Sequence, residues 1–112
     1  MSDSPTPPNA FSVRSIPRGD ALIVKAFGEI DLVAAEHFEA EVRWALSGSA
    51  ASVVIDLTEV WFIDSTGLRV LVDAARFAEE HEKRFGIRGE VSPAVERAFA
   101  VSGLTSSLPF IP

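Results

Sequence analysis

The chain contains no cysteine, which excludes a disulfide framework and a thiolate metal site and fits a reducing compartment, the cytoplasm. Lysine is scarce: Lys25 and Lys83 are the only two, and neither closes a glycine-rich loop of the Walker type, so a nucleotide-phosphate cradle is excluded. The two histidines, His37 and His81, lie far apart in sequence, and each suits an ordinary structural or surface role better than that of a catalytic base. No Gly-x-Ser-x-Gly elbow occurs, and the Asp-Ser/Thr-Gly turn of aspartic proteases is neither matched in spacing nor duplicated, so an enzyme is not expected. Asp31 and Asp64 are too few carboxylates for a convincing metal site, and no cofactor is expected. Positive charge is in deficit, with sixteen acidic against ten basic side chains and a net charge of -6. The basic residues are spread from Arg14 to Arg97, which disfavours nucleic acid as a partner. No apolar run approaches the roughly 18 residues of a membrane helix. The N-terminus, MSDSPTPPNA, has neither the basic nor the apolar region of a secretory signal. A soluble protein without a membrane partner is expected.

What is present is enough for one core, since 112 residues with 47% hydrophobic content leave little room for a second domain. Met1 to Ala10, rich in proline and small polar residues, reads as a mobile tail, and the domain proper as 11–112. Phe11 to Ile16 and Ala21 to Phe27 are rich in β-favouring residues and flank a Pro17-Arg18-Gly19-Asp20 turn, giving two strands. Apolar residues at Ala35, Phe38, Val42 and Leu46 follow helical spacing, with Asp31 placed to cap the start and Gly48 near the end. Ser52 to Leu57 carries Val53-Val54-Ile55 without alternation, the pattern of a central strand covered on both faces.

A second helix is predicted after Asp64, with Leu68, Leu71, Val72, Ala75 and Ala78 on its buried face. Arg76 with Glu80, and Glu79 with Lys83, are i,i+4 pairs of the kind worth ~0.2–0.5 kcal/mol on a solvated face. Phe85 to Arg88 is a weak strand. Ser92 and Pro93 open a third helix, which Gly103 ends, with Leu104 placed to pack back on Phe99. Leu108 to Ile111, bracketed by prolines, fits only an edge strand. The order β-β-α-β-α-β-α-β predicts an α/β domain: a mixed, mostly parallel sheet of 4–5 strands packed with three helices.

If the second and third strands are parallel, their C-terminal ends share one rim, which collects Asp31 with Asp64, Ser65 and Thr66 and should be joined by the Gly89–Ser92 turn. Local chemistry leaves two readings of Ser65 and Thr66. They cap the second helix, as hydroxyls at a helix start commonly do, or one of them accepts a phosphate that adds a charge of about -1.5 to -2. Free N–H groups at the helix start would tolerate that anion, while Asp31 and Asp64 would make the surface strongly negative. Trp61-Phe62, just ahead of the motif, reads as core packing in preference to an exposed partner anchor.

Three segments carry a family resemblance: Gly28-Glu29-Ile30-Asp31, VVIDLTEVWFIDSTGLRVL from Val53 to Leu71, and SPAVERAFAVSGL from Ser92 to Leu104. In order and spacing they resemble the STAS domains, and more closely the bacterial anti-sigma factor antagonists that act on sporulation and stress sigma factors. The resemblance implies a binding module. Unphosphorylated, it would dock on an anti-sigma factor with serine-kinase activity and so free a sigma factor, until phosphorylation ends the docking and a serine phosphatase resets it. Ser65 matches the phosphoacceptor and Thr66 the neighbouring hydroxyl that shapes the loop, while Asp31 matches a partner-facing acid. The partner-binding set expected is Asp31, Asp64, Ser65, Thr66, Gly67 and Arg69. Better-known relatives often carry a further C-terminal helix past the position matching Pro112, and in this chain that helix is expected to be absent. STAS domains also serve in membrane transporters and lipid-transport assemblies, so a constitutive subunit of such an assembly is the alternative.

Overall fold

A computed structural model describes residues 10–104 and 108–111. The expected tail, Met1 to Ala10, lies outside the described residues except for Ala10. The elements run β1 (Ser12–Arg18), β2 (Ala21–Ile30), α1 (Leu32–Ser47), β3 (Ser52–Ile63), α2 (Ser65–Glu80), β4 (Arg84–Arg88), α3 (Pro93–Ser102) and β5 (Phe110–Ile111). They form one five-stranded sheet in the order β1-β2-β3-β4-β5. β1 is antiparallel to β2, and every other neighbouring pair is parallel. No helix among the described residues is long and apolar enough to cross a membrane.

Two strands are much longer than their apolar runs suggest. β2 continues to Ile30 and β3 to Ile63, because the two keep pairing after β4 has left β3 at Ile55. Register shifts between Lys25 and Phe27, and between Gly28 and Glu29, break the period-two pattern there. Gly28 sits at φ +93, a backbone region that side-chain-bearing residues rarely occupy, at the second of these shifts, where β3 carries the extra residue, Trp61. β5 is shorter than expected, two residues in place of four.

The caps follow from local chemistry. Asp31 accepts from the Ala34 N–H at 2.9 Å, and Ser92 Oγ accepts from the Val95 N–H at 3.3 Å with Pro93 behind it. Gly103 closes α3 at φ +76, with Gly103 N–H to Ala100 O at 3.2 Å and Leu104 N–H to Phe99 O at 3.1 Å, a Schellman ending. Neither expected i,i+4 pair on α2 forms an ion pair; Lys83 instead donates to the Gly48 and Ala50 carbonyls at 2.5 and 2.8 Å. Those carbonyls lie beyond the end of α1, where a cation is held by two fixed acceptors in place of one mobile carboxylate.

Because the parallel strands advance in a single direction across the sheet, right-handed crossovers place all three helices on the same side. Contacts agree: Phe11 on β1's approach meets Phe38 of α1 edge-on at 6.3 Å, and Ser15 donates to Glu41 at 2.6 Å. At the other end of the sheet Phe99 of α3 meets Phe110, register partner of Ile87, with ring centroids 5.0 Å apart. Val24, Ile55 and Ile87, fully buried, lie on this side, with Phe38, Val42, Leu71, Val95 and Phe99 above them.

β3 is central, as expected, but among the described residues no helix covers its second face. That face carries a buried acid, Asp56. Only 2% exposed, it accepts from the Thr58 N–H at 2.9 Å and hydroxyl at 2.6 Å, and pairs with Arg88 at 3.2 Å. Burial pushes the Asp56 carboxyl up, but the Thr58 hydroxyl and N–H, then Arg88 and Lys25, outweigh it and hold it below the usual carboxylate value. A depressed acid contributes stability above the unfolded-state value and loses it as pH falls through the folded one. Asp56→Asn should therefore cost about 1–2 kcal/mol at neutral pH, and the gap to the parent should close as urea unfolding is repeated below about pH 4. An equal gap at all pH values would contradict this account.

Candidate functional site

Parallel pairing of β2 with β3 sets Ile30 beside Ile63, so the next residue on each strand, Asp31 and Asp64, begins a helix at the same rim. A hydrogen bond from Asp64 N–H to Ile30 O at 3.1 Å fastens the two junctions directly. Each aspartate is the N-cap of its helix. The rim predicted from topology is thus formed, and α1 and α2 pack side by side behind it, flanking a groove of 580 Å³.

At the start of α2 the hydroxyls do not share one role. Asp64 Oδ1 accepts three hydrogen bonds, from Thr66 N–H at 3.0 Å, Gly67 N–H at 3.2 Å and Thr66 Oγ1–H at 2.8 Å. Capping therefore belongs to Asp64, and neither Ser65 nor Thr66 caps the helix, which corrects the local reading of both. Thr66 is half-buried and its hydroxyl is committed to Asp64. Ser65, at the first helical position, is exposed, and its hydroxyl makes no hydrogen bond to another described residue. Two of the helix-start N–H groups expected to receive an anion are already taken by Asp64. A phosphate on Ser65 would stand beside that carboxylate, directed to solvent.

Gly67 has a different reason to be glycine. A Cβ there would lie 2.6 Å from Ile63 Cγ1 and 2.8 Å from Ile30 Cγ2, closer than carbon atoms pack. The absent side chain lets α2 descend onto the ends of β2 and β3, and Gly67 itself is buried and offers a partner no side chain. Arg69, one turn after Ser65, is exposed, makes no ion pair with a described residue and lines the groove with Leu32, Val33, Glu36 and Asp73. It is a cation among acids.

Sequence reasoning misplaced the apolar part of the rim. Trp61 and Phe62 are 51% and 44% exposed, not core, because β3 carries an extra residue at each register shift, which changes which of its residues face the helices. Leu32 and Val33, in the first turn of α1, are 67% and 73% exposed. Four large apolar side chains thus surround the Asp31–Ser65 rim, and only for the first pair was there a sequence signal, its bulk. Of the Gly89–Ser92 turn, Ser92 reaches a concavity that Trp61 also lines, together with Thr58 and Glu59. His37 is exposed on α1, where it lines a concavity with Asp31 and Val33, and His81, at the end of α2, stacks on Phe77 at 4.0 Å while its Nδ1 lies 2.9 Å from Phe77 O.

A family model described as "Mlab, STAS domain" matches residues 17–111. The chain belongs to the STAS domain family. This STAS domain is 28% identical over 94 residues to an anti-sigma-B factor antagonist of Staphylococcus epidermidis, covering 84% of this chain and 86% of the relative. Among solved structures it is similar to an anti-sigma factor antagonist from Mycobacterium paratuberculosis, with 31% identity, a TM-score of 0.77 and coverage of 96% and 90% of the two chains. It is likewise similar to the anti-sigma factor antagonist SpoIIAA in its unphosphorylated form, at 25% identity and a TM-score of 0.71, with 92% and 89% covered. The single-domain α/β fold, its mixed five-stranded sheet and its three helices are those of that group.

The division of labour at the start of α2 separates the residues that hold the helix in place from the exposed Ser65, which does not. Asp64→Ala should cost about 1–2 kcal/mol, the worth of a helix cap, and Gly67→Val about 1–3 kcal/mol through overpacking against Ile30 and Ile63. Ser65→Ala should stay within about 0.5 kcal/mol of the parent. Thermal and urea unfolding of the three variants checks the ranking, and a Ser65→Ala loss as large as that of Asp64→Ala would refute it.

Proposed function

We propose that this STAS domain is an anti-sigma factor antagonist: unphosphorylated, it docks through the Asp31–Ser65 rim on an anti-sigma factor with serine-kinase activity and frees a sigma factor. Phosphorylation of Ser65 ends the docking, and a serine phosphatase restores it. The observation that carries the reading is the contrast between the two hydroxyls. Thr66 is held by Asp64, whereas Ser65 projects free at the same helix start, accessible to a kinase without any unfolding. The names borne by the similar proteins, anti-sigma factor antagonists in each case, support the assignment of partner class.

The chemistry of the switch is electrostatic. A phosphate adds a charge of about -1.5 to -2 next to Asp64, with Asp31 across the strand pair and Glu36 and Asp73 around the groove. The Asp64 carboxylate already occupies the N–H groups that would otherwise neutralise it. A partner surface fitted to the neutral serine and to the apolar collar of Leu32, Val33, Trp61 and Phe62 then meets an unpaired, hydrated dianion, whose desolvation opposes contact. The partner set is Asp31, Asp64, Ser65, Thr66, Gly67 and Arg69, with Gly67 acting through backbone position and the exposed aromatics supplying apolar anchors.

Incubated with its cognate kinase and ATP, the protein should gain one phosphate, located on Ser65 by mass spectrometry, and Ser65→Ala should abolish it. Ser65→Asp should weaken binding to the kinase by about tenfold or more. Trp61→Ala and Phe62→Ala should each weaken it by about 1–2 kcal/mol without changing stability. Affinity indifferent to Ser65→Asp, with a transporter component as the co-purifying protein, would favour a constitutive STAS subunit instead.

A further inference from the structure

The helix-free face of the sheet concentrates positive charge in an acidic protein. Strand alternation puts Arg14 and Arg18 of β1, Lys25 of β2, and Arg84 and Arg88 of β4 on that face, since Arg14 is the register partner of Lys25, Lys25 of Asp56, and Arg88 pairs with Asp56. These are five of the ten basic residues of a chain with net charge -6. They come from the β1–β2 hairpin and from β4, far along the chain, which is why the basic residues read as scattered. Arg84 and Arg88 are paired with Asp20 and Asp56, at 3.3 and 3.2 Å, whereas Arg14, Arg18 and Lys25 form no ion pair with a described residue.

Between the cations runs an aliphatic stripe. Ile16 of β1 is the register partner of Ile23, Ile23 of Val54, and Val54 of Gly86, over which the Ile111 side chain lies. Ile16 and Ile111, at the two edges, are 37% and 36% exposed. Phe27, on the cationic side, lies against Arg14 at 5.2 Å and Lys25 at 5.4 Å, so its ring is already engaged by two of the cations. A long polyanion would also meet the net negative charge of the whole molecule beyond the patch.

We propose that this face is a docking surface for a partner segment that is both acidic and aliphatic. Carboxylates would meet Arg14, Arg18 and Lys25 while aliphatic side chains lie against Ile16, Val54 and Ile111, over the buried Ile23. The surface is separate from the Ser65 rim, so it would operate in either phosphorylation state.

The test uses the full chain and a synthetic peptide of about 12 residues with glutamate and leucine alternating, long enough at ~3.3 Å per residue to cross the sheet. Controls are the same peptide with serine for leucine, a single-stranded oligonucleotide, and phosphatidylglycerol vesicles. Backbone amide shifts are expected at Ser12–Arg18, Ala21–Phe27 and Arg84–Arg88. Arg14→Glu/Arg18→Glu should weaken the peptide about tenfold or more, and Arg14→Gln/Arg18→Gln, the milder variant if charge reversal disturbs folding, several-fold. Raising salt from about 50 to 300 mM should weaken it further, while Ser65→Asp should leave it unchanged. The proposal is overturned by shifts confined to the Ser65 rim, by no binding at millimolar peptide, by equal affinity for the serine control, or by tighter binding of the oligonucleotide or the vesicles.

Discussion

The parallel pairing of β2 with β3 is the constraint from which the rest of this molecule follows. It continues past the point where β4 departs, through two bulges, to Ile30 and Ile63. It thereby delivers two aspartate-capped helices to one rim and locks them with the Asp64–Ile30 hydrogen bond. Shorten either strand by two residues and Asp31 and Asp64 would no longer be neighbours. The rim is made by backbone geometry, and its side chains are then free to vary in charge and polarity, which suits a surface that recognises a partner.

The caps of α1 and α3, the buried face of α1 and the order of elements along the chain were legible, because each depends on residues close in sequence: Asp31 before an apolar 3–4 repeat, Ser92-Pro93 before another, Gly103 after it. The strand ends were not. Thr58-Glu59 and Gly28-Glu29 fall beyond the apolar runs of their strands, yet both are strand, with Glu59 opposite Phe27, and Gly28 and Glu29 opposite Val60 and Phe62. Once a bulge shifts the register, the alternation that assigns faces no longer holds, and Trp61 and Phe62 change from expected core to exposed collar. Asp56 was missed for a related reason. It stands within an apolar run, and only the fold shows that Thr58, Arg88 and Lys25 converge on it.

The candidate site was legible as a place and as a pair of hydroxyls, and the resemblance chose Ser65. What distinguishes the two in physical terms is a three-way commitment of Asp64 Oδ1 that uses Thr66 and leaves its neighbour out. No local pattern reveals that, since either hydroxyl is sterically and chemically competent to cap. The sheet gathers five cations on one side and the helix layer faces the other way, an asymmetry invisible in a charge count. Net charge describes the molecule at a distance, while a partner in contact meets only one face of it.

Gly67 carries a consequence for how a signal could be encoded. With no room for even one carbon between α2 and the isoleucines below it, the helix start cannot sink further into the sheet, and lifting it away would open a void in a close-packed core. The proposed modification therefore has no soft mechanical coordinate to push on. The message would be written in potential, with the scaffold holding still, so the marked and unmarked forms would share one shape and a reader would have to sense charge at contact range. Such a device needs no slow rearrangement between states. It resets as soon as the phosphate leaves.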